Sequence, residues 1–348
     1  MKRAALDVLV CPHDATSLRL AGGNDGDVDE GELTCGEGHQ FAIRNGVPRL
    51  VPAEAGAHGD QGGTFDSFSA KWSKVDQDEI RQRFEAQYRW YVERFGFDDE
   101  DDLRTFLADK RTVLEAGTGL GGDAARFARL SDATVVALDL SESIVTAQRE
   151  FGVAQNLHYV QADLLRPPVP RERFDFVSAD QVVHHTPDAR AAVHSLAGLV
   201  TPGGTLAFYV YKVKAPLREY ADDYIRERTT KMSVDDCMDF SASMSELGRK
   251  LSDVGATITL DRPIPLLGIE AGEHDVQRLI YWHFLKAFWN DDFSPNLNDL
   301  VNFDWYHPPY ASRHTEGEVR GWCDELGLAI DHLDVGDAGI SVRATAAR

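Results

Sequence analysis

From Lys110 onward the chain alternates between two textures. Short apolar runs, each too short for a helix, occupy Thr112–Ala116, Ala133–Leu138, Leu157–Gln161, Phe174–Ala179 and Thr205–Tyr211, and read as buried strands. Between them lie stretches of helical period. Ala124, Phe127, Ala128 and Leu130 share one side, Glu142–Phe151 follows a possible cap at Ser141, and a third helix covers Asp188–Leu199. Strands alternating with helices predict a parallel sheet covered on both faces. Near the end, Thr315 and Glu318 have capping-box spacing for a helix that stops at Gly327. Leu328–Val335 and Gly339–Ala346, joined through Gly336–Asp337–Ala338, then predict a closing β-hairpin. The expected fold is α/β and doubly wound, a mostly parallel seven-stranded sheet ending in that hairpin.

Two regions break the rhythm. Residues 212–313 form a segment of about a hundred residues, far too long for an ordinary connection. Leu217–Arg228, Asp235–Val254 and Val276–Trp289 have helical patterns, so the segment reads as a helical cap inserted after the fifth strand. Leu279, Trp282, Phe284, Leu285 and Phe288 read as the core side of its last helix. Residues 1–53 hold short apolar runs, two cysteines and a Gly/Asp-rich middle (Ala21–Gly31), which predicts a small ribbon module. Residues 54–109 combine a linker (Ala53–Gly63) with aromatic helices carrying Phe65, Phe68, Trp72, Phe84, Tyr88 and Tyr91. The predicted core therefore spans 110–211 and is completed by 314–348.

Charge narrows the partners. A net charge of −21 over 348 residues, with acidic runs at Asp25–Glu32 and Asp98–Asp102, counts against nucleic acid, whose phosphates call for clustered Lys and Arg. The excess acid is either a solvated surface or a field that attracts cationic ligands. No apolar run has the length of a bilayer span. Asp7 and Cys11–Pro12 break up the first apolar stretch, a poor signal peptide. A cytoplasmic protein with four reduced cysteines is expected; Cys237 and Cys323 fall in helical segments and read as buried thiols.

The chemistry concentrates in VLEAGTGLGGD (Val113–Asp123). A strand delivers Glu115, then the chain turns through Gly117, Gly119 and Gly121 into a helix whose first N–H groups are free. Gly117, Gly119 and Gly122 also satisfy the dinucleotide spacing G-x-G-x-x-G, so a dehydrogenase remains an alternative at this point. Asp139 ends the second strand, where a carboxylate accepts ribose hydroxyls; Asp163 ends the third, and Asp180 and Gln181 follow the fourth. His184 and His185 come next, and His185 is the better candidate for a base, set against a hydrogen bond within the loop. Tyr209, Tyr211 and the stretch Asn302–His314, with Asp304, Trp305, Tyr306, His307 and Tyr310, are candidates for a substrate wall or for packing of cap on core.

These residues together resemble class I S-adenosylmethionine-dependent methyltransferases. Val113–Asp123, Ala137–Ser141, Gln161–Leu165, Phe174–Asp188 and Leu199–Tyr211 look like that family's successive motifs. The resemblance implies S-adenosylmethionine as cofactor. Glu115 would organise the methionine end, with Gly117, Thr118, Gly119 and Gly121 against the cofactor. Asp139, Leu140 and Ser141 would hold the ribose, and Asp163 with Leu164 would bracket adenine. Asp180 and Gln181 would flank the site, and Phe68 and Trp72 would cover it. The motif series, the large cap and the histidine pair together point to methyl transfer to oxygen or nitrogen of a small metabolite; the acidic balance counts against a nucleic-acid partner, the short apolar runs against a membrane, and a homodimer is one expected assembly. A non-catalytic cofactor-binding subunit is a further alternative. Leu9–Pro12, Glu32–Phe41 and Ile43–Pro52 resemble zinc ribbons of the tRNA-methyltransferase-activator type. A similar ribbon precedes rRNA guanine-N1 methyltransferases, which keeps an RNA base substrate as the runner-up. Cys11, Cys35 and His39 match zinc ligands; Asp14 stands where a second cysteine is expected, so a structural Zn2+ site and a metal-free remnant both remain open.

Overall fold

The computed structural model describes residues 1–22, 26–52, 61–75 and 88–348; most of the predicted linker, and Phe84, lie outside these. The N-terminal ribbon contributes β1 (Arg19–Leu20), β2 (Gly31–Thr34), β3 (Gln40–Arg44) and β4 (Val47–Leu50). The core supplies β5 (Thr112–Ala116), β6 (Thr134–Asp139), β7 (Leu157–Ala162), β8 (Phe174–Ala179) and β9 (Val200–Lys212). In the cap, β10 (Thr257–Leu260) and β11 (Gly272–Asp275) make a separate antiparallel pair. Then β12 (Arg313–His314) pairs with β9, and β13 (Leu328–Val335) and β14 (Gly339–Ala346) close the chain as an antiparallel hairpin.

The main sheet has twelve strands rather than the expected seven, in the order β1-β2-β3-β4-β7-β6-β5-β8-β9-β14-β13, with β12 beside β9. Of the five additional strands, β12 joins at β9 and the other four join at β7. Its outer edge would expose unpaired N–H and C=O groups, and β4 covers them in parallel register, Arg49 opposite Gln161 and Leu50 opposite Ala162. Arg49 fixes the join by donating to Gln161 Oε1 at 2.7 Å and Glu142 Oε1 at 2.8 Å. Beneath it, Leu9, Leu33, Ile43 and Leu50 share one apolar layer with Leu138, Val160 and Leu206. Phe127, Ile144, Tyr159 and Phe176 fill the opposite layer. Strands β5 and β7 are buried at every position, as expected of central parallel strands covered on both sides.

Local signals set the helix ends. Thr315 and Glu318 form the reciprocal capping box of helix Glu316–Glu325. Ser141 does not cap the next helix. It donates to Asp139, and helix Ser143–Phe151 starts from Glu142 without a side-chain cap. Gly62 and Gly63 belong to helix Gly62–Ser73, not to a linker.

The cap packs helices Pro216–Thr229, Val234–Asp253, Val276–His283 and Pro295–Tyr306 around Cys237, Met244, Phe303, Trp305 and Tyr306. Its third helix ends at His283 rather than Trp289, because Arg218 donates to the Tyr281 carbonyl that the next turn would use. The apolar residues assigned to that helix's core side are accordingly only half-buried. Cys237 and Cys323 are buried free thiols. Among the described residues no helix is long and apolar enough to cross a membrane.

Candidate active site

At the carboxyl end of β5 the chain reverses through Gly117 and Gly121, at φ of 77° and 83°. A Cβ at Gly117 would sit 2.3 Å from Val182 Cγ2, and one at Gly121 would sit 2.6 Å from Tyr159 Oη; both positions exclude side chains on conformation and on space. Glu115 lies buried beneath the turn, where it accepts a 2.5 Å hydrogen bond from Thr118 Oγ1. Burial, reinforced by Asp123, lifts its carboxyl well above the usual range. Glu115 and Gly121 therefore shape the loop from below and do not line the cavity above it.

Asp139 ties that loop to the tip of β6. Its Oδ2 accepts from Gly119 N–H at 2.7 Å, and its Oδ1 accepts from Ser141 N–H at 2.8 Å and Ser141 Oγ at 2.6 Å. Burial raises its pKa against the pull of these donors. Since the Ser141 donors occupy Oδ1, Oδ2 is the oxygen with capacity left for a ligand hydroxyl. Asp163 is buried at the tip of β7, with one oxygen accepting from Leu165 N–H at 3.0 Å. Asp180 after β8 is held by Arg94, whose Nη1 donates to both carboxylate oxygens at 2.8 and 3.1 Å. Gln181 follows in the left-handed region at φ 54°, a strained conformation for a side-chain-bearing residue next to a site.

Over these tips lies a cavity lined by both polar and apolar groups. Its floor includes Gly117, Thr118, Gly119, Asp139, Leu140 and Ser141, and its flanks include Asp163, Leu164, Asp180 and Gln181. Helix Gly62–Ser73 roofs it with Phe65, Phe68, Lys71 and Trp72. Lys71 Nζ pairs with Asp304 of the cap at 2.6 Å and lies 4.3 Å from the Trp72 ring centroid. Beside this latch, Ser67 Oγ and His307 Nδ1 are 2.8 Å apart.

His185 lines the same cavity. Its Nδ1 donates to the Tyr310 carbonyl at 2.8 Å, which fixes the tautomer and leaves the Nε2 lone pair available. Tyr211 Oη stands 3.5 Å from that Nε2, and Phe68 meets the ring edge-on at 5.0 Å. Burial pushes the imidazole down to about 4, so it is neutral at ordinary pH.

His184 is fully buried behind it, its ring centroid 3.7 Å from that of Tyr211, and it does not line the cavity. Of the candidate substrate wall, Asp304 alone reaches the cavity. Tyr209 packs under Arg94, Trp305 lies against Tyr211, Tyr306 donates to the Lys286 carbonyl, and Tyr310 lends its carbonyl to His185. The reason lies in helix Pro216–Thr229, whose Arg226 donates to the carbonyls of Trp305 and Pro308. These bonds turn the neighbouring rings into the cap. Lys71, Phe65, Asp123, Val182, Thr186 and Arg94 escaped the sequence reading. The aromatic spacing of Phe65, Phe68 and Trp72 was the available signal for the roof, whereas Lys71 becomes significant only through a partner 233 positions away.

In the ribbon, ligand atoms of Cys11, Asp14, Cys35 and His39 all lie within 4.8 Å of one another. Cys35 Sγ is 3.3 Å and Cys11 Sγ 3.5 Å from His39 Nδ1, which is 3.1 Å from Asp14 Oδ2. Tetrahedral zinc with bonds of about 2.0–2.3 Å requires ligand separations of about 3.3–3.8 Å. The donor set suits that ion and the two Cys–His separations lie in that range, while the cluster as a whole spreads to 4.8 Å, wider than a closed tetrahedron.

Residues 114–208, from β5 to β9, match the family model described as a methyltransferase domain. An uncharacterized methyltransferase of Mycobacterium tuberculosis is 39% identical over 100 residues, 28% of this chain and 50% of that protein. A ubiquinone biosynthesis O-methyltransferase of Pseudomonas syringae pv. tomato is 31% identical over 150 residues, 39% of this chain and 63% of that one. The chain thus spans half the length of the mycobacterial relative. Among solved structures, a magnesium protoporphyrin IX methyltransferase from Synechocystis PCC 6803 with bound SAH aligns over 83% of this chain and 100% of that one, at 15% identity and a TM-score of 0.42.

Proposed function

We propose that this chain is an S-adenosylmethionine-dependent methyltransferase acting on an oxygen or nitrogen of a small molecule. The observation that carries the reading is a roofed cavity containing the glycine loop, the acids Asp139 and Asp163 at two further strand tips, and His185, whose Nε2 faces Tyr211 Oη. The match of residues 114–208 to a methyltransferase domain favours this over the dehydrogenase reading that the glycine spacing also allowed.

When bound, the cofactor supplies an electrophilic sulfonium methyl. The chain's own work is placement. Asp139 Oδ2 and Asp163 accept hydroxyl or amino protons from the nucleoside, the loop offers main-chain contact, and Trp72 and Phe68 exclude water from above. His185 Nε2 takes the proton of an acceptor that enters protonated, and its bond to Tyr310 keeps the ring aimed. The roof helix over the cavity favours a small acceptor over a polymer, and the net charge of −21 points the same way.

Calorimetry with S-adenosylmethionine, S-adenosylhomocysteine and NAD+ is the direct test, followed by transfer of a labelled methyl group into a metabolite extract. Binding of the first two ligands with label transfer is expected. Binding of NAD+ alone, or cofactor binding without transfer to any small molecule, overturns the reading.

Cys11, Asp14, Cys35 and His39 are proposed to hold a structural zinc. Elemental analysis should find one equivalent per chain, and chelation should lower the melting temperature by loosening the ribbon and with it the β4–β7 edge. A purified chain that contains no zinc, and whose melting temperature ignores both chelator and added zinc, refutes this assignment.

A further inference from the structure

In a chain with 57 acidic and 36 basic residues, the cap contains an unusual knot of cations. Lys214, Arg218 and Lys286 converge on the ring of Trp305, with charge-to-centroid distances of 6.0, 5.3 and 4.6 Å. Arg218 is matched, since its Nε donates to Asp222 Oδ2 at 2.7 Å. Among the described residues the Lys214 ammonium finds two main-chain carbonyls, those of Asp337 and Ala338, and no carboxylate. Lys286 is only 6% exposed, and among the described residues its ammonium has no hydrogen bond or ion pair. The nearby acids are committed elsewhere: Asp304 to Lys71 and Glu219 to Arg313. Asp222 keeps one oxygen, Oδ1, without a partner.

An indole face offsets only part of the cost of desolvating an ammonium. Burial and then the charge of Arg218 accordingly hold both lysines down to about 7. The arrangement has a deficit of negative charge in the middle and half-buried Lys214 and Trp282 on its outer side. Rings line it: Tyr281 and Trp282 have centroids 4.5 Å apart, and Lys214 Nζ lies 5.7 Å from that of Trp282.

We infer that Lys286, with Lys214 and Arg218, forms an anion site in the cap for a carboxylate carried on an aromatic body. A single negative charge completes the cation set, and the half-buried ring of Trp282 takes the body. Asp222 Oδ1 disfavours a phosphate dianion, which would bring a second negative charge close to an uncompensated oxygen. None of these three cations lines the cavity under the roof helix, so the site stands whether or not the methyltransferase reading does.

The test titrates benzoate, benzamide and inorganic phosphate into the full chain and into Lys286→Met and Lys214→Met by calorimetry, with thermal melts of each protein. Saturable binding of benzoate is expected, at least tenfold tighter than that of benzamide or phosphate. Lys286→Met should weaken benzoate binding tenfold or more. It should also melt at or above the temperature of the unsubstituted chain, because an unpaired buried charge has been removed. Lys214→Met, at a more exposed position, should give a smaller loss. S-adenosylmethionine affinity, unchanged in both variants, reports that they are folded. No saturable benzoate binding to the unsubstituted chain, equal binding by Lys286→Met, a lowered melting temperature in that variant, or phosphate binding tighter than benzoate each overturns the proposal.

Discussion

The strand-tip cavity and the cap both bury charge, and they satisfy it by opposite means. At the strand tips the groups are acids, and apart from the Arg94–Asp180 pair their donors include residues close in sequence: Thr118 for Glu115, Ser141 for Asp139, Leu165 for Asp163. In the cap the burden falls on buried or half-buried cations, and apart from the Arg218–Asp222 pair their acceptors are distant main-chain carbonyls. Arg218 reaches Tyr281, Arg226 reaches Trp305 and Pro308, and Lys214 reaches Asp337 and Ala338. The first region is preorganised by short turns and retains its shape through local geometry. The second is assembled only when helices far apart in the chain have docked, so its charges are hostages to packing.

A matched pair of glycines breaks or sharpens this contrast most strongly. Gly117 and Gly255 both have positive φ, 77° and 58°. A Cβ at Gly117 meets Val182 at 2.3 Å, whereas one at Gly255 in the cap meets nothing within 4 Å. Gly255→Ala should cost about 1 kcal/mol from conformation alone. Gly117→Ala adds a steric clash beneath the cavity floor and should cost about 3 kcal/mol or more, with loss of cofactor binding. Urea unfolding and calorimetry measure both. Equal costs would mean that the loop has no tighter surroundings than the cap.

This difference also governs what could be read in the sequence. The glycine turn, the acids at successive strand tips and the Thr315–Glu318 box rest on contacts a few residues apart, and those patterns are visible in one dimension. Lys71, Arg94 and the seating of β4 on β7 rest on pairs 86 to 233 positions apart, which no local period encodes. The ring-bearing stretch Asn302–His314 misled for the same reason. Its composition suits a pocket wall, but Arg226, some eighty positions earlier, decides which way the rings face.

The next largest effect concerns His185. Its imidazole is lowered from 6.5 to about 4 by burial, so between those values the unfolded chain takes up a proton that the folded chain refuses. Stability is therefore full above pH 6.5 and falls as the pH drops toward 4, by about 3 kcal/mol for this group. His184, lowered in the same direction by burial, adds to the slope. In His185→Asn the amide nitrogen can keep the bond to Tyr310 while the titration is gone. The fall in stability between pH 6.5 and 4 should become shallower by about that amount, and turnover should drop while cofactor affinity holds. Parallel denaturation curves for the two proteins across this window would show that His185 does not titrate as its burial requires.

A smaller and more local effect concerns the bond network at Asp139. An Asn there has the same shape but one acceptor oxygen fewer. If its carbonyl keeps the two donors of Ser141, its amide NH2 must face Gly119 N–H, donor against donor, where the carboxylate now accepts at 2.7 Å. If the amide flips, the same conflict moves to Ser141. Either way one tie between the glycine loop and β6 is lost, together with the acceptor left for a ligand hydroxyl. Asp139→Asn should weaken S-adenosylmethionine binding about tenfold, equivalent to about 1.4 kcal/mol, with little change in melting temperature. Asp304→Asn, on the part-exposed side of the Lys71 latch, should weaken cofactor binding less, since its partner stays stacked on Trp72. A larger loss from Asp304→Asn than from Asp139→Asn would invert the ranking, making the long-range latch and not the local turn the element that shapes the cavity.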